Sequence, residues 1–216
     1  EAGKTMGLAP YGGESGVFSQ WIHARKGSYS LEIPGYDILL EIEALEKAHG
    51  QVEGKPWMRS HLVELAAKVQ QETEDALLHL VREAKRETGL NHLCLAGGVA
   101  LNSVANHRIV RELELDGFFA FPAAGDSGIA AGCALWANHK HAGYPVTRVP
   151  MTRATLGRCS TRAEVEAAVQ AKGDELELEP LAPAEMIKRT AEALAMGRIV
   201  ARFEGGSEYG PRALGH

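Results

Sequence analysis

Between residues 60 and 87, apolar residues recur at Leu62, Leu65, Ala66, Val69, Ala76, Leu77, Leu80, Val81 and Ala84. This i, i+3, i+4, i+7 spacing predicts one long amphipathic helix. Ser60 with Glu64 nearby suits its N-terminus, and Gly89 its end. The charged residues between the apolar positions read as a solvated face. The apolar run His92, Leu93, Cys94, Leu95 follows at once and reads as a strand on which the helix packs.

The next stretch, to residue 137, repeats one design: a short apolar strand, a glycine turn, then a helix of small residues. The first copy is H-L-C-L-A-G-G-V-A-L-N-S-V-A-N, turning at Gly97 and Gly98. The second is F-F-A-F-P-A-A-G-D-S-G-I-A-A-G-C-A-L, turning at Gly125, Asp126 and Gly128. Glycine lets backbone amides approach a ligand closely, and the helix start behind each turn favours negative charge. Neighbouring turns at the carboxyl ends of strands are where an open α/β sheet binds a nucleotide or phosphate.

Elsewhere the signals are more local. Residues 1–16 read as a glycine-rich binding loop, 17–24 as a short helix, 29–33 as a strand and 37–49 as a helix. Residues 50–58 read as an irregular link and 138–149 as a surface connection. Thr161-Arg-Ala-Glu164 is a capping box opening a helix to about residue 171. A strand at 176–178, a helix at 184–196 ended by Gly197, and a strand at 199–203 complete the pattern. The last delivers E-G-G-S-E-Y-G-P-R-A-L-G to the surface, and a domain boundary is expected between residues 150 and 175.

The apolar fraction of 45% supports a real core, and 24 glycines suit an α/β protein with tight turns. A net charge of −5 with scattered basic residues argues against nucleic acid as a partner. No apolar run approaches the ~20 residues of a membrane span, and no signal-peptide pattern is seen. Cys94, Cys133 and Cys159 form no CxxC pair. They read as buried apolar thiols in a reduced, cytoplasmic protein. Glu1 opens and His216 closes the chain inside glycine-rich segments, so a piece of a longer protein is expected.

Several residues carry candidate chemistry. The turn at Gly97 and Gly98 matches neither the phosphate loop nor the dinucleotide fingerprint, but a flat base or ribose can lie against its backbone. Asn102 and Asn106, one helical turn apart, can donate amide hydrogen bonds from one face, and close helix–strand packing explains the same pattern. Asp126, between glycines at a helix start, is either a cap or a cation ligand. Lys4 can meet a phosphate or simply be solvated. Arg212 follows Pro211, which stiffens the loop, and a guanidinium suits bidentate binding of phosphate or carboxylate. Arg202 adds a positive charge, with Glu204 and Glu208 as alternative salt-bridge partners. The nine histidines show no ligand spacing.

Four segments in order, E-A-G-K-T-M-G-L-A-P-Y-G, L-C-L-A-G-G-V-A-L-N-S-V-A-N-H-R-I, P-A-A-G-D-S-G-I-A-A-G-C-A-L and residues 197–215, resemble the O-carbamoyltransferases of the nodulation-factor and antibiotic-tailoring type. The resemblance implies an α/β chain. Residues 1–150 would be the second half of an actin-like ATPase-type domain similar to that of threonylcarbamoyl-adenosine tRNA-modifying enzymes. Residues 151–175 would be a linker, and 176–216 the start of a dsRNA-binding-like α/β domain that makes carbamoyl adenylate.

It further implies transfer of a carbamoyl group from carbamoyl phosphate, through ATP-derived carbamoyl adenylate, to a hydroxyl of a small-molecule or sugar acceptor. ATP and an iron-type divalent metal are the implied cofactors, with magnesium accompanying the nucleotide as an alternative. By resemblance, Gly97, Gly98 and Asn102 match the nucleotide-binding turn, and Lys4, Gly7 and Pro10 the loop closing over it. Asp126 matches the aspartate ligand of the metal and acts catalytically through it. Arg212, Gly210 and Glu208 match the start of the carbamoyl-phosphate and adenylate site. The histidine ligands and the rest of the second domain belong to the remainder of the parent chain. The segment alone is therefore expected to be inactive. A kinase, the tRNA-modifying relative, and a nucleotide-binding module without turnover are the competing readings, and the G-P-R-A-L-G segment counts against the first two.

Overall fold

The computed structural model describes residues 2–13, 18–50, 60–145 and 151–211. The chain is mixed α/β, with many helices and small sheets, and divides into two compact units, Glu1–Ile129 and Ala130–His216. Among the described residues no helix is long and apolar enough to cross a membrane.

The first unit is organised on the long helix that the periodicity predicts, α3 (Ser60–Thr88), which gives way at Gly89 with φ +69°. Strand β3 (His92–Leu95) pairs in parallel with β4 (Gly117–Ala120), His92 opposite Gly117 and Leu95 opposite Ala120. Parallel neighbours need a crossover, and α4 (Ser103–Glu112) supplies it, completing a βαβ unit. The core forms where the three meet. Leu78 and Val81 of α3 pack with Ile109 and Leu113, and Leu93, Leu95 and Leu115 close around them. Ile109 is fully buried. The Lys85 ammonium donates to the Leu113 carbonyl at 2.6 Å, placing a cation at the carboxyl end of α4.

The charged face of α3 is not merely solvated. Its carboxylates hold the chain that precedes it. Glu64 accepts from the Gly13 amide, and Glu72 from the amides of Trp21 and Ile22 at 3.1 and 2.9 Å. Glu83 accepts from the Gly27 amide, Glu87 from the Tyr29 hydroxyl, and His79 Nε2 meets the Ser28 carbonyl. Glu41, on helix α2 (Gly35–His49), accepts from the Ser19 amide and the Trp21 indole. Lys68 pairs with Glu72 at 2.6 Å and lies over the Trp21 ring.

These contacts explain two corrections. Residues 18–24 are not helical, because Glu72 takes the Trp21 and Ile22 amides that a helix would give to its own carbonyls. They lead into β1 (His23–Ala24), which pairs antiparallel with β2 (Leu31–Glu32) inside the expected strand. The predicted loop at the start is instead helix α1 (Ala2–Leu8) and a 3₁₀ turn (Ala9–Tyr11). Tertiary contact overrides the weak helix propensity of its glycines. Ala9 is buried, and Gly12 lies so close to α3 that a Cβ there would sit 2.7 Å from the Val63 carbonyl.

In the second unit, α5 (Ile129–Lys140) begins at the end of the first, and α6 (Arg162–Lys172) and α7 (Pro183–Ala195) follow. The capping box is present: Thr161 Oγ1 accepts from the Glu164 amide while the Glu164 carboxylate accepts from the Thr161 amide. The strands expected at 176–178 and 199–203 do not form. A strand needs a partner, and among the described residues neither segment has one, leaving Leu178, Ile199 and Phe203 exposed. All three cysteines are exposed rather than buried. Cys94 takes the outward position of β3, whose side chains alternate in exposure. Of the link expected at 50–58, residues 51–58 lie outside the described residues, as do 146–149 of the connection expected at 138–149, whose first residues, 138–140, continue α5.

Burial pushes the Glu72 carboxyl up, but hydrogen bonds from Lys68, Trp21 and Ile22 outweigh it and set its pKa below the ordinary value. Glu41 is lowered in the same way, against its own burial, by Ser19 and Trp21. Glu83 is lowered chiefly by Arg86 and the Gly27 amide. A carboxylate with a depressed folded pKa stabilises above its unfolded value, and that stability is lost as pH falls through the folded one. Urea unfolding should therefore show a plateau above about pH 5 and a decline below about pH 4. Glu72→Gln should lower stability at neutral pH by ~1.5–3 kcal/mol and flatten the acid decline.

Candidate functional site

The parallel register brings the two glycine turns together at the carboxyl ends of β3 and β4. The Gly97 amide donates to the Ala124 carbonyl at 2.9 Å, tying the first turn to the second. A Cβ on Gly125 would lie 3.7 Å from the Gly98 Cα, so the backbones run in near contact. Gly97 has φ +95°, a conformation that side chains disfavour. Built onto Gly97 or Gly98, a Cβ would meet nothing within 4 Å, so the space over this turn is open. A 3₁₀ turn (Gly98–Leu101) follows, and Val99 stands exposed at its edge.

Asn102 is the N-cap of α4: its Oδ1 accepts from the Ala105 amide at 3.1 Å. The same carboxamide forms a reciprocal pair with Gln70 of α3. Gln70 Nε2 donates to Asn102 Oδ1 at 3.1 Å, and Asn102 Nδ2 donates to Gln70 Oε1 at 2.9 Å. Asn106 donates to the Ala100 carbonyl at 2.8 Å, and its Oδ1 is buried without a protein donor. The two asparagines thus spend hydrogen bonds on shaping the turn. Gln70 was not legible as part of this site, since its only sequence signal is a polar residue within the α3 pattern.

Asp126 opens a 3₁₀ turn (Asp126–Gly128) that leads into α5. The position preceding this turn is Gly125, which has no side-chain cap, so Asp126 does not act as its N-cap. Asp126 is exposed, and among the described residues no group of three His, Cys, Asp or Glu side chains is placed to hold a metal. Gly128 is required by packing, because a Cβ there would lie 2.1 Å from the Ala123 carbonyl oxygen.

The remaining residues are held elsewhere. Lys4 and Gly7 lie on α1, exposed, and that helix packs on α3. Pro10 sits in the 3₁₀ turn beside it. Glu208 and Gly210 belong to the second unit, half-buried, where the Tyr209 amide donates to the Ala154 carbonyl at 2.7 Å. Arg202 is paired with Glu204, in line with the salt-bridge alternative. Arg212 lies outside the described residues. The second unit also carries an apolar groove of about 370 Å³ between Val165 and Val169 of α6 and Leu176 and Phe203.

Residues 1–135 match the model of the family described as carbamoyltransferase N-terminus. The nodulation protein NolNO of Sinorhizobium fredii is 34% identical over 221 residues, which is 99% of this chain and 31% of that protein. The nodulation protein NolO of Bradyrhizobium diazoefficiens is 30% identical, over 99% of this chain and 38% of its own length. An uncharacterized Synechocystis protein is 32% identical over 98% of this chain and 37% of its length. The chain thus spans between 31% and 38% of the length of these relatives.

Three alanine substitutions separate what packing requires from what a ligand requires. Gly128→Ala should cost ~1–3 kcal/mol by overpacking, and Gly97→Ala about 1 kcal/mol by backbone strain, both read by urea unfolding. Gly98→Ala should stay within ~0.5 kcal/mol of the unaltered chain. A large loss of stability at Gly98 would mean that the turn is closed rather than open.

Proposed function

The chain belongs to the carbamoyltransferase family, and we propose that it forms part of an ATP-dependent O-carbamoyltransferase. In this reading the acceptor's hydroxyl oxygen attacks the carbonyl carbon of carbamoyl adenylate. The new C–O bond forms, the bond from that carbon to the AMP phosphate oxygen breaks, AMP leaves, and the hydroxyl proton is lost. The supply of carbamoyl adenylate from carbamoyl phosphate and ATP falls to the parent's second domain, of which Glu208, Gly210 and Arg212 would form the beginning.

One observation carries this reading: two glycine turns joined by the Gly97–Ala124 hydrogen bond, at adjacent parallel strand ends, with open space above Gly97 and Gly98. A nucleotide can lie flat against such backbone where any side chain would hold it off. Asn102 supports the turn by capping α4 and retains a second Nδ2 hydrogen. Lys4 and Gly7 lie on helix α1 rather than in a covering loop, so the exposed Lys4 enters this reading only as a cation on that helix.

An iron-type metal does not fit the described residues by themselves, since among them no group of three His, Cys, Asp or Glu side chains is placed to hold it. Transition-metal affinity rests largely on imidazole and thiolate donors. No step is assigned to a metal on this chain, and Asp126 enters as an exposed carboxylate on the second glycine turn. The chain alone supports nucleotide binding rather than turnover.

The test is an assay of the full parent protein with carbamoyl phosphate, ATP and a panel of sugar and antibiotic alcohols, following AMP and carbamate ester. Acceptor-dependent AMP release is the expected result. Asp126→Ala separately tests the one role left to that carboxylate, as a ligand in a metal site completed by the rest of the parent: in that role its loss lowers ester formation. Absence of carbamate ester with every acceptor would overturn the assignment, and full activity in Asp126→Ala would remove Asp126 from the site.

A further inference from the structure

Gln70 sits in the middle of α3 and is 8% exposed. A buried carboxamide costs free energy unless its polar atoms are bonded, so a glutamine at a position otherwise suited to an apolar residue needs a reason. Its amide group is fully engaged. Nε2 donates to Asn102 Oδ1 at 3.1 Å and to Glu74 Oε1 at 2.7 Å, and Oε1 accepts from Asn102 Nδ2 at 2.9 Å.

These bonds have direction. The guanidinium of Arg108 pairs with Glu74 at 3.2 Å, Asp75 at 2.8 Å and Glu112 at 2.6 Å. Glu74 is thereby held as a carboxylate acceptor, and only the NH₂ side of Gln70 can face it. Gln70 Oε1 must then face Asn102 Nδ2, which leaves Asn102 Oδ1 toward the Ala105 amide. Reversing either carboxamide would set two donors or two acceptors against each other. Beyond Asn102, its own amide donates to the Val99 carbonyl at 2.9 Å, closing the 3₁₀ turn that starts at Gly98.

We propose that Gln70 is a positioning residue for the nucleotide-binding turn: through Asn102 it fixes the orientation of the segment from Gly97 to Asn102 and the direction of the remaining Asn102 Nδ2 hydrogen. This rests on the assignment of that turn to a nucleotide. Arg108 and Glu74 act one step further out, by holding Gln70 in one of its two amide orientations. The chain of bonds crosses from α3 to α4, so a mutation far from the ligand in sequence reaches the turn through hydrogen bonds rather than through the core.

The experiment measures AMP binding to the full parent protein by calorimetry, beside thermal unfolding, for Gln70→Leu, Gln70→Glu, Asn102→Ala and the double variant Gln70→Leu/Asn102→Ala. Gln70→Leu should weaken AMP binding by about fivefold or more. The double variant should bind no more weakly than Asn102→Ala, because Gln70 acts only through Asn102. Gln70→Glu removes both donors while keeping size. Its AMP affinity should be low near pH 8 and recover toward about pH 6, as the introduced buried carboxyl beside Glu74 takes up a proton well above its ordinary value. The unaltered protein should show no such recovery. A purely structural role would lower the melting temperature yet leave AMP affinity unchanged. That outcome, full additivity of the two substitutions, or no AMP binding by the unaltered protein overturns the positioning role. Carbamoyl transfer is scored separately: a parent that binds AMP with this mutational pattern but makes no carbamate ester retains Gln70 in its role and loses the proposed reaction.

Discussion

Everything described in the first unit hangs on α3, a helix whose two faces do different work. Its apolar side, through Leu78 and Val81, makes the core with α4 and the strands. Its polar side binds backbone amides of the preceding segment through Glu64, Glu72 and Glu83. Buried carboxylates are costly when unpaired, so Glu72 and Glu83 demand donors, and they take amides of the preceding segment beside the cations Lys68 and Arg86. The segment between α1 and β2 thus owes its shape to α3 more than to its own propensities. Near the middle of the same helix, Gln70 and Glu74 reach the cap of α4.

The glycine turns follow from this support. Two short parallel strands make a weak sheet, and the crossover helix and α3 must secure them from one side. With the strands in register, their carboxyl ends lie level and the two turns meet. Packing explains Gly128, whose Cβ would strike the Ala123 carbonyl, and backbone conformation explains Gly97. Neither explains Gly98, which has room for a side chain and lacks one. The absence of a side chain where packing permits it is what a close ligand would require.

Legibility in the sequence followed the range of the interactions. The helix at 60–88, the strand at Leu93 and Leu95 and the Thr161–Glu164 box were readable because their periodicity or capping is local. The glycine turns were readable because few residue types can form them. The helix at Ala2–Leu8 and the non-helical course of residues 18–24 were not, since both are set by contacts with α3 about 50 residues away, as the Trp21–Glu72 bond illustrates. Strands at 176–178 and 199–203 were expected from short local runs, and a local run does not provide a partner. Asn102 was picked out as a hydrogen-bonding residue beside the turn, but its pairing with Gln70, 32 positions earlier, left no trace in local pattern.

The central claim is that the two glycine turns form one floor beneath a nucleotide. Amide hydrogen exchange of the parent protein, with and without AMP, tests it most directly. The account predicts that AMP slows exchange at Gly98 and Val99 and, in the same titration, at Gly125 to Ser127. Protection confined to other segments, with both turns exchanging at unchanged rates while AMP is bound, would contradict it.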